Sequence, residues 1–151
     1  MKISGKYKNA FLEFICFLYI LLFVYAAMNK LLVFDEFIIQ IGQSPVLTAY
    51  AGLVAWTVPY LEIIIAVMLI VPRFRLLGLY ASFSLMVMFT AYIFIILNFS
   101  KSIPCSCGGV LEKLGWTEHL IFNIAFVILA FIGIQIMNGQ KNYSTPKYAS
   151  L

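Results

Sequence analysis

Residues able to do chemistry gather in one interval, Ser100 to Asn123, reading SKSIPCSCGGVLEKLGWTEHLIFN. It contains the close cysteine pair Cys105 and Cys107, the single histidine His119, and Asn123 one helical turn further on. A Cys-x-Cys bridge closes a ring of about three residues, worth roughly 1.6 kcal/mol by chain entropy before strain is subtracted. Such a ring is a poor staple and a comparatively reducible disulfide, which favours a redox couple over a structural bridge. His119, close in sequence, is placed to favour the thiolate. Two thiolates and His119 also suit a soft ion such as Cu(I) or Zn(II), so a metal-handling reading stays open beside the redox one. Cys16, alone in an apolar run, reads as an inert core residue.

A second chemical feature is Glu62, a carboxylate inside a long apolar segment. Ionisable groups there are expensive unless paired and are functional candidates by default. Trp56 and Trp116 suit outer-interface anchors. Glu62 follows the first by six residues and Asn123 follows the second by seven. At a helical rise of 1.5 Å per residue, both lie about 9–10 Å below that interface. Lys30 and His119 fall just above them. The four together form either a polar site or, for Lys30 and Glu62, a buried pair that only fixes packing.

Composition sets the framework that holds these residues. The chain has 151 residues, of which 64% are hydrophobic and 11% charged. Its mean hydropathy is +1.01. Globular domains are about half apolar and about a quarter charged, so the solvent for this surface is a lipid bilayer. The net charge of +4 therefore does not point to nucleic acid. Four segments have the length to span: Ala10–Met28, Val46–Val71, Leu76–Leu97 and Leu120–Met137. The first is too long for a signal-peptide core and carries Glu13 and Cys16, so it reads as a retained helix.

Lysine and arginine orient the spans. Lys2, Lys6, Lys8, Arg73, Arg75, Lys141 and Lys147 fall on one side, against Lys30, Lys101 and Lys113 on the other. The positive-inside rule puts both termini in the cytoplasm and the cysteines outside, where disulfides persist. Residues 1–9 are then a cytoplasmic N-terminus, 10–138 one four-helix transmembrane domain with an outer loop at 98–117, and 139–151 a disordered cytoplasmic tail. Leu31 to Pro45 is too polar to span and lies along the outer surface, with Ser44 capping the second span and Pro45 at its first position. Pro59 frees a carbonyl one turn back and kinks that span. Small and polar residues stripe each helix: Cys16, Tyr19, Phe23, Ala26, Ala27 and Lys30 on the first; Ala51, Gly52, Ala55, Pro59, Glu62 and Ala66 on the second. Tyr80, Ser84, Ala91 and Asn98 mark the third; His119, Asn123, Ala130 and Gly133 mark the fourth. Turned inward, these stripes make an all-α four-helix bundle.

From Phe11 to Gly133 the chain resembles the DoxX-like membrane proteins, and within them the MauE (methylamine utilisation) branch. The resemblance rests on Asn29-Lys30-Leu31, on Phe37 through Ser44-Pro45, and on the Pro59–Glu62 step. Its sharpest part is Pro104-Cys105-Ser106-Cys107-Gly108-Gly109 followed by Trp116, His119 and Asn123. It implies four transmembrane helices and a maturation role with a thioredoxin-like partner acting on disulfides of exported proteins. DoxX relatives are linked to quinone-coupled sulfur oxidation. No thioredoxin-like domain is fused here, so such a partner is a separate chain. The combined expectation is a multi-pass protein of a bacterial inner (plasma) membrane that handles thiol–disulfide electrons at its outer face. Cys105 and Cys107 exchange with a periplasmic thioredoxin-like or other exported protein, His119 assists, and Glu62, Asn123 and Lys30 hold a quinone or relay protons. The rival readings are a non-catalytic assembly subunit and the Cu/Zn-handling protein.

Overall fold

A computed structural model describes residues 2–43, 47–99 and 115–144. Among the described residues every regular element is helical. The order is α1 (Lys2–Leu32), α2 (Phe34–Gly42), a 3-10 turn (Thr48–Tyr50) leading into α3 (Ala51–Ile70), α4 (Arg75–Phe99) and α5 (Trp116–Ser144). The segments Gly5–Leu32, Thr48–Ile70, Arg75–Phe99 and Thr117–Gln140 are each long and apolar enough to cross a membrane. The protein is a multi-pass, all-α membrane protein in contact with the lipid bilayer, as the composition requires.

Helix ends follow local chemistry. Val71 precedes Pro72 and sits extended at φ −82°, ψ 114°, which stops α3. The Arg75 side chain then donates to the Leu69 carbonyl at 3.3 Å, satisfying one of the acceptors that the end of α3 exposes. Beyond the expected spans, α1 begins at Lys2 and α5 runs to Ser144. Extending a nucleated helix costs little. The two extensions are tied together by a Gln140–Asn9 side-chain hydrogen bond of 2.5 Å. Residues 139–144, expected in a disordered tail, are thus helical. Ser44 and Pro45, the expected start of the second span, lie outside the described residues, as do 100–114 and 145–151.

Helices α1 and α3 pack on their small-residue stripes, burying Cys16, Tyr19, Phe23 and Ala27 against a face with Ala55, Pro59, Glu62 and Ala66. Gly52, placed on that stripe by sequence, is exposed. Helix α5 buries Asn123, Ala130 and Gly133. The Tyr19 hydroxyl donates to the Phe126 carbonyl and joins α1 to α5 across the core. Small side chains permit this close approach where lipid supplies no hydrophobic drive.

The third span departs from expectation. Tyr80, Ser84, Ala91 and Asn98 are exposed, whereas Gly78, Leu79, Ser82, Leu85, Met86, Ile93 and Ile96 are buried. The expected polar stripe needs no bundle interior. Asn98, next to the helix end, donates to its own helix at Phe94 O (2.8 Å), and Tyr80 near the other end accepts from Asn138 (3.1 Å). Polar groups near the ends of a span meet the interface, where facing outward carries no penalty.

Helix α2 is a short amphipathic piece lying against the start of α3. It buries Phe37 and Ile41 on Ala55 and leaves Asp35 and Glu36 exposed in its first turn, where the helix dipole favours negative charge. Phe34 meets the Trp56 ring at 4.6 Å, and Trp56 stacks on Tyr60. This layer covers the end of the bundle at which α1 finishes and α3 begins.

Candidate polar cavity within the bundle

Lys30 stands near the end of α1, and Glu62 lies on the buried face of α3, one turn after Pro59. The Lys30 ammonium donates to Glu62 Oε1 at 2.5 Å. Glu62 is 1% exposed, and the Lys30 side chain is 16% exposed. The lysine also sits 5.6 Å from the centre of the Phe89 ring, whose face attracts a cation. So one long, flexible side chain reaches from the helix end to a carboxylate that cannot reach water. The pairing offsets part of the desolvation of both charges.

The pair forms one wall of a cavity of about 460 Å³ enclosed by all five helices. That volume falls within the roughly 300–1,000 Å³ usual for small-molecule sites, and the mostly apolar lining with few polar groups is usual too. Lys30, Glu62, His119 and Asn123 all line it. The structure therefore brings four of the sequence-selected residues to one place. Asn123 is held by its own helix, donating from Nδ2 to the His119 carbonyl at 2.8 Å. The His119 backbone in turn donates to Gly115 O at 2.9 Å, setting the first turn of α5. Cys105 and Cys107 lie outside the described residues. Their segment joins Phe99 to Gly115, so it connects the ends of α4 and α5 nearest His119. Cys16 is buried in the core of α1, about 21 Å along the helix from Lys30, as an isolated thiol should be.

Several lining residues escaped the sequence reading. Asn29 is half-buried with its Nδ2 unpartnered, and its place beside Lys30 in an apolar helix was the available signal. Phe89 and Tyr92 enter from the face of α4 that the polar pattern did not select. Aromatic residues are too common in this chain for their type alone to mark a site. Among the described residues no group of three or more His, Cys, Asp or Glu side chains is placed to hold a metal ion.

The cavity can hold a lipophilic ring, supply a cation and a carboxylate to it, and keep it from water. A quinone ring fits these residues: apolar walls take the ring, while Lys30 Nζ and Asn29 Nδ2 can donate to its oxygens. No curated protein and no solved structure gives a significant match to the chain. A family model described as methylamine utilisation protein MauE matches residues 8–136, which takes in every helix that encloses the cavity, and the chain belongs to the MauE family.

Proposed function

We propose that this protein, in a bacterial inner membrane with both termini in the cytoplasm, moves thiol–disulfide electrons at its outer face. The observation that carries this reading is a mostly apolar, ligand-sized cavity inside the bundle with Lys30, Glu62, His119 and Asn123 in its wall, in the half of α4 and α5 that leads to the Cys105–Cys107 segment. A partner's dithiol attacks the Cys105–Cys107 disulfide through its thiolate; a mixed disulfide forms, and the second partner thiol releases it. The partner leaves oxidised, and Cys105 and Cys107 remain as two thiols. Closing them again releases two electrons and two protons. A quinone, when bound in the cavity, would supply the oxidising chemistry for that closure. Lys30 would orient the ring's oxygen, Glu62 holds the lysine side chain in place, His119 takes a thiol proton, and the apolar walls exclude water. A thioredoxin-like chain is the partner, and an exported protein of methylamine utilisation is the client suggested by the family's name.

The test traps the partner. A Cys107→Ser variant leaves Cys105 a single thiol, which can attack the oxidised partner's disulfide but has no second cysteine to complete the exchange, so a mixed disulfide with the partner should accumulate and be identified by mass spectrometry. Glu62→Gln should leave the protein folded and slow reoxidation of the cysteine pair in membranes. Absence of a mixed disulfide would remove the thiol-exchange reading, and normal reoxidation with a lowered melting point in the Glu62 variant would leave Glu62 a structural residue. Stoichiometric copper or zinc lost in the double serine variant would favour metal handling instead.

A further inference from the structure

Glu62 satisfies one of its carboxylate oxygens and not the other. Oε1 accepts from Lys30, whereas Oε2 is buried without a hydrogen-bond partner. Glu62 is 1% exposed and lines the cavity, so an atom that fills the cavity is the available partner for Oε2. An unpartnered charged oxygen in apolar surroundings is costly, and a hydrocarbon tail cannot relieve it. Asn29 Nδ2, another buried and unpartnered group, belongs to the same lining and offers a donor.

The mouth of the cavity is equally informative. Five residues line the cavity and are also exposed on the outside of the bundle: Tyr25 on α1, Leu53, Thr57 and Leu61 one turn apart on α3, and Met88 on α4, so four of the five stand on α3 and α4. The opening therefore lies between α3 and α4, within the span, and faces lipid. What enters there dissolves in the bilayer first. Phe23, Phe89, Tyr92 and Phe122 supply ring walls inside.

We propose that the cavity takes a membrane-dissolved aromatic molecule bearing a hydroxyl group, admitted sideways between α3 and α4, whose O–H donates to Glu62 Oε2 while a second oxygen accepts from Asn29 Nδ2. This deepens the redox reading and rests on it for the identity of the ring: a hydroquinone carries that hydroxyl and a quinone does not. Glu62 then holds the reduced form. Each tenfold preference for the reduced form makes the bound couple a stronger oxidant by ~30 mV, which draws electrons from the thiols.

The test uses two probes that exchange no electrons with thiols, 1-naphthol and its methyl ether, 1-methoxynaphthalene. Both are titrated calorimetrically into the protein in nanodiscs, against empty nanodiscs. A hydrogen bond to a charged oxygen predicts that the naphthol binds about tenfold more tightly than the ether. The Lys30→Met/Glu62→Leu variant, which leaves no unpaired charge, should bind both alike. Leu61→Trp, which fills the mouth, should slow naphthol association in stopped-flow mixing; an unchanged rate overturns the sideways route. Equal affinity of the two probes for the wild-type protein, or binding of neither, overturns the inference, with water then serving Oε2. The wild-type comparison needs no variant to fold. A naphthol preference without cysteine turnover sinks the redox reading alone, and turnover without the preference sinks this inference alone.

Discussion

Lys30→Met puts the largest single load on this structure. It removes the partner of Glu62 Oε1 from a residue that is 1% exposed and whose Oε2 has no partner either. Both oxygens are then buried and unsatisfied. Breaking a buried ion pair from one side costs about 3–5 kcal/mol, and the near-complete burial of Glu62 places the loss in the upper part of that range. For a chain of this length a loss of 1 kcal/mol lowers Tm by about 2–4 °C, so the variant should melt roughly 8–20 °C lower. The reverse deletion, Glu62→Leu, should cost less. The orphaned Lys30 is 16% exposed, retains the Phe89 ring, and its stem is long enough to turn towards the interface. Removing both charges in Lys30→Met/Glu62→Leu should recover most of the loss, because matched apolar replacement of a buried pair is close to neutral. Thermal unfolding of the four proteins in one detergent completes a double-mutant cycle. A Lys30→Met protein as stable as wild type, or a double variant no better than the worse single one, would refute the buried-pair argument.

Other perturbations probe packing and topology. A Cβ at Gly78 would lie 3.0 Å from Leu69 Cδ2 and 3.2 Å from the Leu69 backbone nitrogen, which cannot turn aside. Gly78→Ala should therefore lose about 1–3 kcal/mol to overpacking, more than the helix-propensity gain of about 1 kcal/mol returns. Gly52→Ala, with nothing within 4 Å of the new methyl, should keep that gain, and equal melting points for the two variants would contradict the packing. After mild reduction, Cys105 and Cys107 should react with a membrane-impermeant thiol reagent in intact spheroplasts. Labelling only after lysis would invert the orientation drawn from the seven-to-three division of basic residues.

Much of the site could be read from residue type and spacing. Glu62 stood out because a carboxylate in hydrocarbon demands a partner, and Lys30 was the cation at a compatible depth. The count of spans followed from composition, since no other solvent suits a chain that is 64% hydrophobic. The inward faces of α1, α3 and α5 followed from their stripes of small and polar residues. The same logic failed on α4, where Asn98 bonds within its own helix and Tyr80 accepts from Asn138 near the other end. In water a buried face announces itself by hydrophobicity; in lipid both faces of a span are apolar, and the pattern loses its sign.

Composition and residue spacing set the solvent, the four spans and the few polar groups that cannot be left alone within them. Which of those groups meet is a property of the packed bundle. It paired Lys30 with Glu62, left Glu62 Oε2 and Asn29 Nδ2 unsatisfied, and set Phe89 and Tyr92 from α4 around the same space. The reason is physical: a helix's composition answers to the bilayer residue by residue, whereas a cavity is the volume that several helices together fail to fill, and no single segment encodes it.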